Sequence, residues 1–174
     1  MRNPAGQVFM KGRESSEWLA QNLRSTRNFI RKWGHMVKHD EYLKPIVPPK
    51  YDIGFVAYNC DKNLLRELEP WCSKIYLDFG SDYMSEYRKE EQQDTQFNLD
   101  EKIFMYGNSK PSDLGNDIII EFDCRMLNAN NFQTIVNLSE IIQQSGEIGV
   151  MEYDIFKFHI NSLDSYEKEL INVV

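Results

Sequence analysis

Apolar and polar residues follow a helical period in the first part of the chain. Large apolar side chains recur every three or four residues, as on one face of an amphipathic helix; they are Trp18, Leu19, Leu23, Ile30, Trp33 and Val37. Ser15 or Ser16 can cap the start of this helix, and Glu17 suits its positive end. Gly34 permits a bend or a break. The pattern predicts an amphipathic helical arm.

Near residue 50 this pattern stops. Pro45 and the pair Pro48 and Pro49 interrupt helical structure and favour an extended connector. We therefore predict that residues 1–50 form the helical arm with a Pro-rich connector, and that residues 51–174 form a separate domain.

In the second part, short apolar runs rich in β-branched and aromatic residues alternate with helix-like stretches. Strands are predicted at 53–58, 74–77, 103–106 and 117–122, with a last strand or a hairpin at 148–160. Helices are predicted to begin near Asp61, Ser81 and Asn130 or Asn131, and a short one at 165–170. Three consecutive isoleucines at 118–120 indicate a central parallel strand. This order predicts an α/β fold, in its finer form a Rossmann-like three-layer, mostly parallel sheet.

Charge divides the chain at the same place. The net charge is −7, but residues 1–50 hold ten Lys and Arg against four Asp and Glu, giving +6, so the remainder carries −13. The cations of the arm form a stripe beside its apolar face: Arg24, Arg27, Arg31, His35 and Lys38. Either the arm lies on its own acidic domain, or it binds an acidic partner.

Other bulk features narrow the class of protein. The cysteines Cys60, Cys72 and Cys124 show no disulfide or Cys-x-x-Cys pattern, which favours a reducing compartment. We expect no signal peptide and no membrane span, because no apolar run has the required position or length. A cytoplasmic protein, or a virion component, is predicted. The acidic net charge disfavours nucleic acid as a partner.

Three polar residues follow predicted strands at the edge where open parallel sheets bind ligands: Asn59, Asp78 and Asp123. Asp78 lies about twenty residues beyond the first strand, where dinucleotide-type sites hold a ribose-binding acid. The order of elements resembles a class I methyltransferase core. The loop 57–62, however, contains no glycine to let the backbone approach a cofactor, and we expect no cofactor.

The sequence gives only weak signals for a metal site or a nucleophilic catalytic site. Asp78, Asp82 and Asp123 could meet a divalent cation, and His35 and His39 have zinc-ligand spacing on a helix. No third ligand accompanies the histidines and no Asp-x-Asp pair is present, so no metal site is predicted. A Gly-x-Ser-x-Gly elbow is also missing, and Cys60 is expected to be a small buried residue. The sequence leaves open whether the protein is an enzyme and assigns no catalytic residue.

Two hypotheses fit these observations. The first is a non-catalytic interaction or assembly subunit, for example a viral or phage structural protein. Its arm would bind a neighbouring protein or a second copy through Trp18, Arg24, Arg27, Arg31, Trp33 and Lys38. The alternative is a nucleotide-donor transferase, S-adenosylmethionine methyltransferase-like or glycosyltransferase-like, with Asn59, Asp78 and Asp123 lining a degenerate Rossmann-type site. The loop without glycine favours the first hypothesis.

Overall fold

The computed structural model describes residues 15–166, so most of the helix predicted at 165–170 lies outside the described residues. Helix α1 comprises Ser16–Trp33, and the Ser15 side chain accepts a hydrogen bond from the Trp18 amide at 3.2 Å. It ends at Gly34, whose φ of 78° suits the left-handed conformation at a helix C-terminus. The break that Gly34 permits is therefore the end of the helix.

A small hairpin follows α1. Strand β1 (Lys38–His39) pairs antiparallel with β2 (Pro45–Ile46). Because α1 has already ended, the prediction that His35 and Lys38 extend the basic helical stripe is wrong. For the same reason, the idea that His35 and His39 share a helix face is also wrong.

A six-stranded sheet lies within residues 51–166, which we call the domain. Its strands are β3 (Ile53–Tyr58), β4 (Lys74–Leu77), β5 (Ile103–Met105), β6 (Ile118–Asp123), β7 (Gly149–Tyr153) and β8 (Phe156–Ile160), in the order β5-β4-β3-β6-β8-β7. β3 pairs parallel with β4 and β6, and β4 pairs parallel with β5. β8 pairs antiparallel with both β6 and β7. The α/β prediction is confirmed, and the sheet is mixed because β7 and β8 form a hairpin.

In the described part of the chain, four further α-helices lie between these strands: α2 (Lys62–Leu68), α3 (Ser81–Glu91), α4 (Phe132–Val136) and α5 (Leu138–Ser145). The single helix predicted after β6 is divided at Asn137, whose side-chain amide donates to the carbonyl of Gln133 at 2.8 Å. Such local bonds compete with helix continuation. Among the described residues, no helix is long and apolar enough to cross a membrane.

The two faces of the sheet are covered differently. The main core collects the buried apolar side chains of the helices: Ile30, Leu65, Leu68, Met84, Tyr87, Ile135, Leu138 and Ile142. On the opposite face, Val56, Tyr76 and Ile119 form a second, smaller cluster. Within residues 15–166, only strand and loop residues pack on that second cluster. The predicted three-layer arrangement, which needs helices on both faces, is therefore not confirmed.

Candidate functional site

Buried ion pairs anchor the second half of α1 to the domain. The Arg31 side chain is fully buried, and its guanidinium lies 2.6 Å from Glu69 Oε2 and 2.7 Å from Glu91 Oε1. Lys102 Nζ lies 2.6 Å from the other Glu69 oxygen, and the Tyr87 hydroxyl donates to Glu69 at 2.9 Å. Buried charges are tolerated only when they are paired and hydrogen-bonded in this way.

The network keeps its members charged. Burial alone would raise the pKa of Glu69, but Lys102 and Arg31 outweigh burial and hold this pKa at about 2. Burial would likewise lower the pKa of Arg31, whereas the Glu69 and Glu91 carboxylates raise it. Both groups are therefore ionised at neutral pH, and the arm is docked by charge.

Three more cations of the arm also contact acidic residues of their own chain. Arg27 forms a bidentate pair with Glu91 at 2.7 and 2.9 Å. Arg24 lies 2.8 Å from Asp94, and Lys38 contacts Glu140. The structure therefore places Arg24, Arg27, Arg31 and Lys38 on their own domain, which is the first of the two alternatives that the charge division posed.

The first half of α1 is exposed. Every residue from 15 to 23 is exposed, including Trp18 at 40%, Leu19 at 50% and Leu23 at 62%. We call these three residues the α1 patch. Farther along the same apolar stripe, Ile30 is buried and Trp33 is half-buried beside Phe29, with ring centroids 6.2 Å apart. Of the two predicted partner-binding tryptophans, Trp18 is thus the more accessible.

A second apolar surface follows on the small hairpin and its flanks. We call it the hairpin patch; it consists of Val37, Tyr42, Leu43, Ile46 and Val47, all exposed. Sequence reasoning missed it, because Val37 was assigned to the apolar face of the helix and the prolines led to Ile46 and Val47 being assigned to an extended connector. The dense apolar residues between Val37 and Val47 were the signal that could have found it.

The three predicted strand-end residues do converge. The backbone amide of Asn59 donates to both Asp78 carboxylate oxygens, at 3.0 and 3.2 Å. Arg125 pairs with Asp123 at 2.5 Å and, with help from the Asn59 side chain, lowers the pKa of Asp123 to about 2. Asn59 adopts φ 54°, a left-handed conformation that asparagine tolerates better than most residues. The amide that a glycine-rich loop would offer to a cofactor is therefore bound to Asp78.

A tyrosine of α3 holds the loop after β3 in place. The Tyr83 hydroxyl donates to the Cys60 carbonyl at 2.6 Å. Contact with Cys124 and burial raise the pKa of the Cys60 thiol, and Cys60 is fully buried, as expected from the sequence.

Two clefts, of about 510 and 650 Å³, lie between α1 and residues 93–102, away from these strand ends.

A polar cluster on the second sheet face was not foreseen. The Tyr58 hydroxyl donates to Glu121 Oε1 at 2.9 Å, and His159 Nε2 lies 2.6 Å from Glu121 Oε2. Burial and the neighbouring Glu121 carboxylate raise the pKa of Tyr58.

Asp82 is exposed, and in the described part of the chain no group of three or more His, Cys, Asp or Glu could hold a metal ion.

Comparisons with protein-family models, with curated proteins and with solved structures find no match to this chain.

Proposed function

We propose that the protein is a non-catalytic interaction or assembly subunit that binds a neighbouring protein through the apolar side chains of its arm. One observation carries the proposal. Of the sixteen large hydrophobic side chains exposed among the described residues, nine lie between Trp18 and Val47. Large exposed apolar surfaces on folded proteins are commonly sites of interaction with another molecule.

The cations and the apolar residues of the arm have different roles in this proposal. Arg27 and Arg31 fix the arm on the domain through Glu91 and Glu69. The α1 patch and the hairpin patch then contact the partner. Because the arm is already positioned, binding does not have to order it, which favours affinity. Such a subunit fits a virion as well as a cytoplasmic complex.

We also propose that the sheet and its helices form a Rossmann-like fold. The Rossmann-like part of the fold prediction is supported by the parallel pairing of β5, β4, β3 and β6. It is also supported by α2 and α3, which pack on one face of those strands.

Site-specific photo-crosslinking in the native cell tests this function. A crosslinking amino acid is placed at Leu19 or at Tyr42, with a control at the exposed Glu67 on α2. We expect a defined crosslinked protein from the arm positions only, and its loss in the Leu23→Glu variant. The same products from Glu67, or products indifferent to Leu23→Glu, would contradict the proposal.

A second candidate function is the nucleotide-donor transferase, because Asn59, Asp78 and Asp123 do come together. Phe79 follows strand β4, and Met105 is the last residue of the neighbouring strand β5. Both side chains are 47% exposed. Together with Asp78 they could hold a nucleoside. Calorimetric titration with S-adenosylhomocysteine and with a uridine diphosphate sugar tests this role. Binding that Asp78→Asn abolishes and Glu67→Gln retains would support it, and no binding of either compound would contradict it.

A further inference from the structure

We propose that the partner is a second copy of this chain and that two copies exchange their apolar patches about a two-fold axis. The α1 patch of each copy lies on the hairpin patch of the other. This inference rests on the proposed function, whose partner it names.

The positions of the patches along the chain favour such an exchange. Helix α1 has 18 residues and is therefore about 27 Å long. The α1 patch lies at its start, and the hairpin patch begins at Val37, just beyond its end. When two α1 helices lie antiparallel, the start of each is beside the end of the other. Unlike patches then meet twice, as the symmetry of a two-fold dimer requires.

Charge also favours a second copy at these surfaces. Residues 15–23 carry a single charge, on Glu17, and in residues 36–47 Lys38 and Lys44 balance Asp40 and Glu41. The whole chain carries −7, so most other ways of bringing two copies together meet like-charge repulsion. Two nearly neutral apolar surfaces complement each other without that repulsion.

The exposed area is of the right size. With about 200 Å² for a whole large side chain, the exposed fractions of the eight patch residues amount to roughly 900 Å² per copy. A standard interface takes about 800 Å² from each partner. The α1 patch alone would supply only about a third of this area, so a stable dimer needs both patches.

The hairpin tip is strained in a way that a partner would offset. Leu43 has φ 61°, which is unfavourable for a branched side chain, and it is 80% exposed. The Asp40 side chain holds this turn by accepting from the amides of Tyr42 and Lys44 at 2.8 and 2.9 Å. The described contacts bury little of Leu43, so its burial on a second copy would compensate the strain.

Sedimentation of the full chain over a range of concentrations tests the exchange. We expect reversible dimerisation that Leu43→Gly and Leu23→Glu each weaken at least about tenfold. Leu43→Gly relieves the backbone strain, so its monomer should unfold at the same or a higher temperature, which separates lost association from lost folding. Gln21→Glu adds the same charge as Leu23→Glu on α1 outside the patch and should leave the dimer intact.

Mixing the two variants tests whether the patches meet each other. A Leu23→Glu copy keeps its hairpin patch and a Leu43→Gly copy keeps its α1 patch, so their mixed dimer retains one of the two contacts. We expect the mixture, labelled for fluorescence transfer, to associate more tightly than either variant alone. A mixture no better than its components, or a wild-type chain that stays monomeric, would overturn the exchange. In that case, arm crosslinks to a different protein would leave the proposed function standing, and the lack of any arm crosslink would contradict both.

Discussion

The two halves of α1 belong to one continuous helix but use opposite chemistry. From Arg24 to Trp33 the helix docks through cations that reach Glu69, Glu91 and Asp94 of the domain. From Ser16 to Leu23 it exposes its apolar side chains. The comparison teaches that an amphipathic helix can dock through its basic stripe together with only part of its apolar stripe, here Ile30. The other apolar residues of the stripe then stay exposed.

The largest expected effect comes from the buried end of the charged stripe. Arg31→Ala removes a fully buried cation and leaves Glu69 and Glu91 undercompensated, so the free energy of unfolding should fall by about 3–5 kcal/mol. Arg24→Ala breaks a partly exposed pair with Asp94 and should cost less than about 1 kcal/mol. Urea unfolding measures both. Equal losses would show that the docking does not depend on burial.

The same network predicts a dependence on pH. The pKa of Glu69 is about 2 in the folded chain against an ordinary value of 4.5. The unfolded chain is therefore protonated first as the pH falls, and the stabilisation from Glu69 is present above pH 4.5 and is lost towards pH 2. Its size is about 3 kcal/mol. Stability measured across this range should fall less steeply in Glu69→Gln. A variant with an unchanged acid slope would refute this origin.

Two apolar residues of one stripe should respond differently to truncation. Ile30 is 4% exposed in the main core, so Ile30→Ala should cost about 2 kcal/mol or more. Leu23 is 62% exposed, and Leu23→Ala should change the stability of the monomer by less than about 0.5 kcal/mol. Thermal unfolding at low concentration compares the two. A large loss in Leu23→Ala would mean that the α1 patch is packed within its own chain.

The smallest effect is expected at the helix start. The Ser15 side chain caps the exposed half by accepting from the Trp18 amide, and its replacement by alanine removes about 1 kcal/mol of local helix stability. Because this half does not pack on the domain, Ser15→Ala should reduce helicity in circular dichroism while global unfolding stays nearly unchanged. A matching fall in global stability would show that the two halves are coupled.

Local patterns predicted the elements better than their arrangement. The isoleucines at 118–120 are fully buried in β6, as predicted, but the sequence did not show that β8 would pair antiparallel beside it. The strand-end rule selected Asn59, Asp78 and Asp123, and the structure brings these three residues together. Arg125 lies in a short 3-10 helix, Cys124–Met126, that no periodicity in the sequence indicates, so this pairing was missed.

The docking of the arm could not be resolved from sequence, for a related reason. Arg31 meets Glu69 and Glu91 across 38 and 60 residues, and only the fold brings such distant charges together. Composition showed that arm and domain attract each other. It could not show which stripe of α1 faces inward.

Amide hydrogen exchange along α1, measured in dilute and in concentrated solution, tests the central claim most directly. In dilute solution we expect amides between residues 19 and 24 to exchange at least about tenfold faster than those between 28 and 34. At high concentration the faster group should become protected as the α1 patch is covered. Equal protection of both halves in the dilute chain would mean that the patch is already buried, and the account would be contradicted.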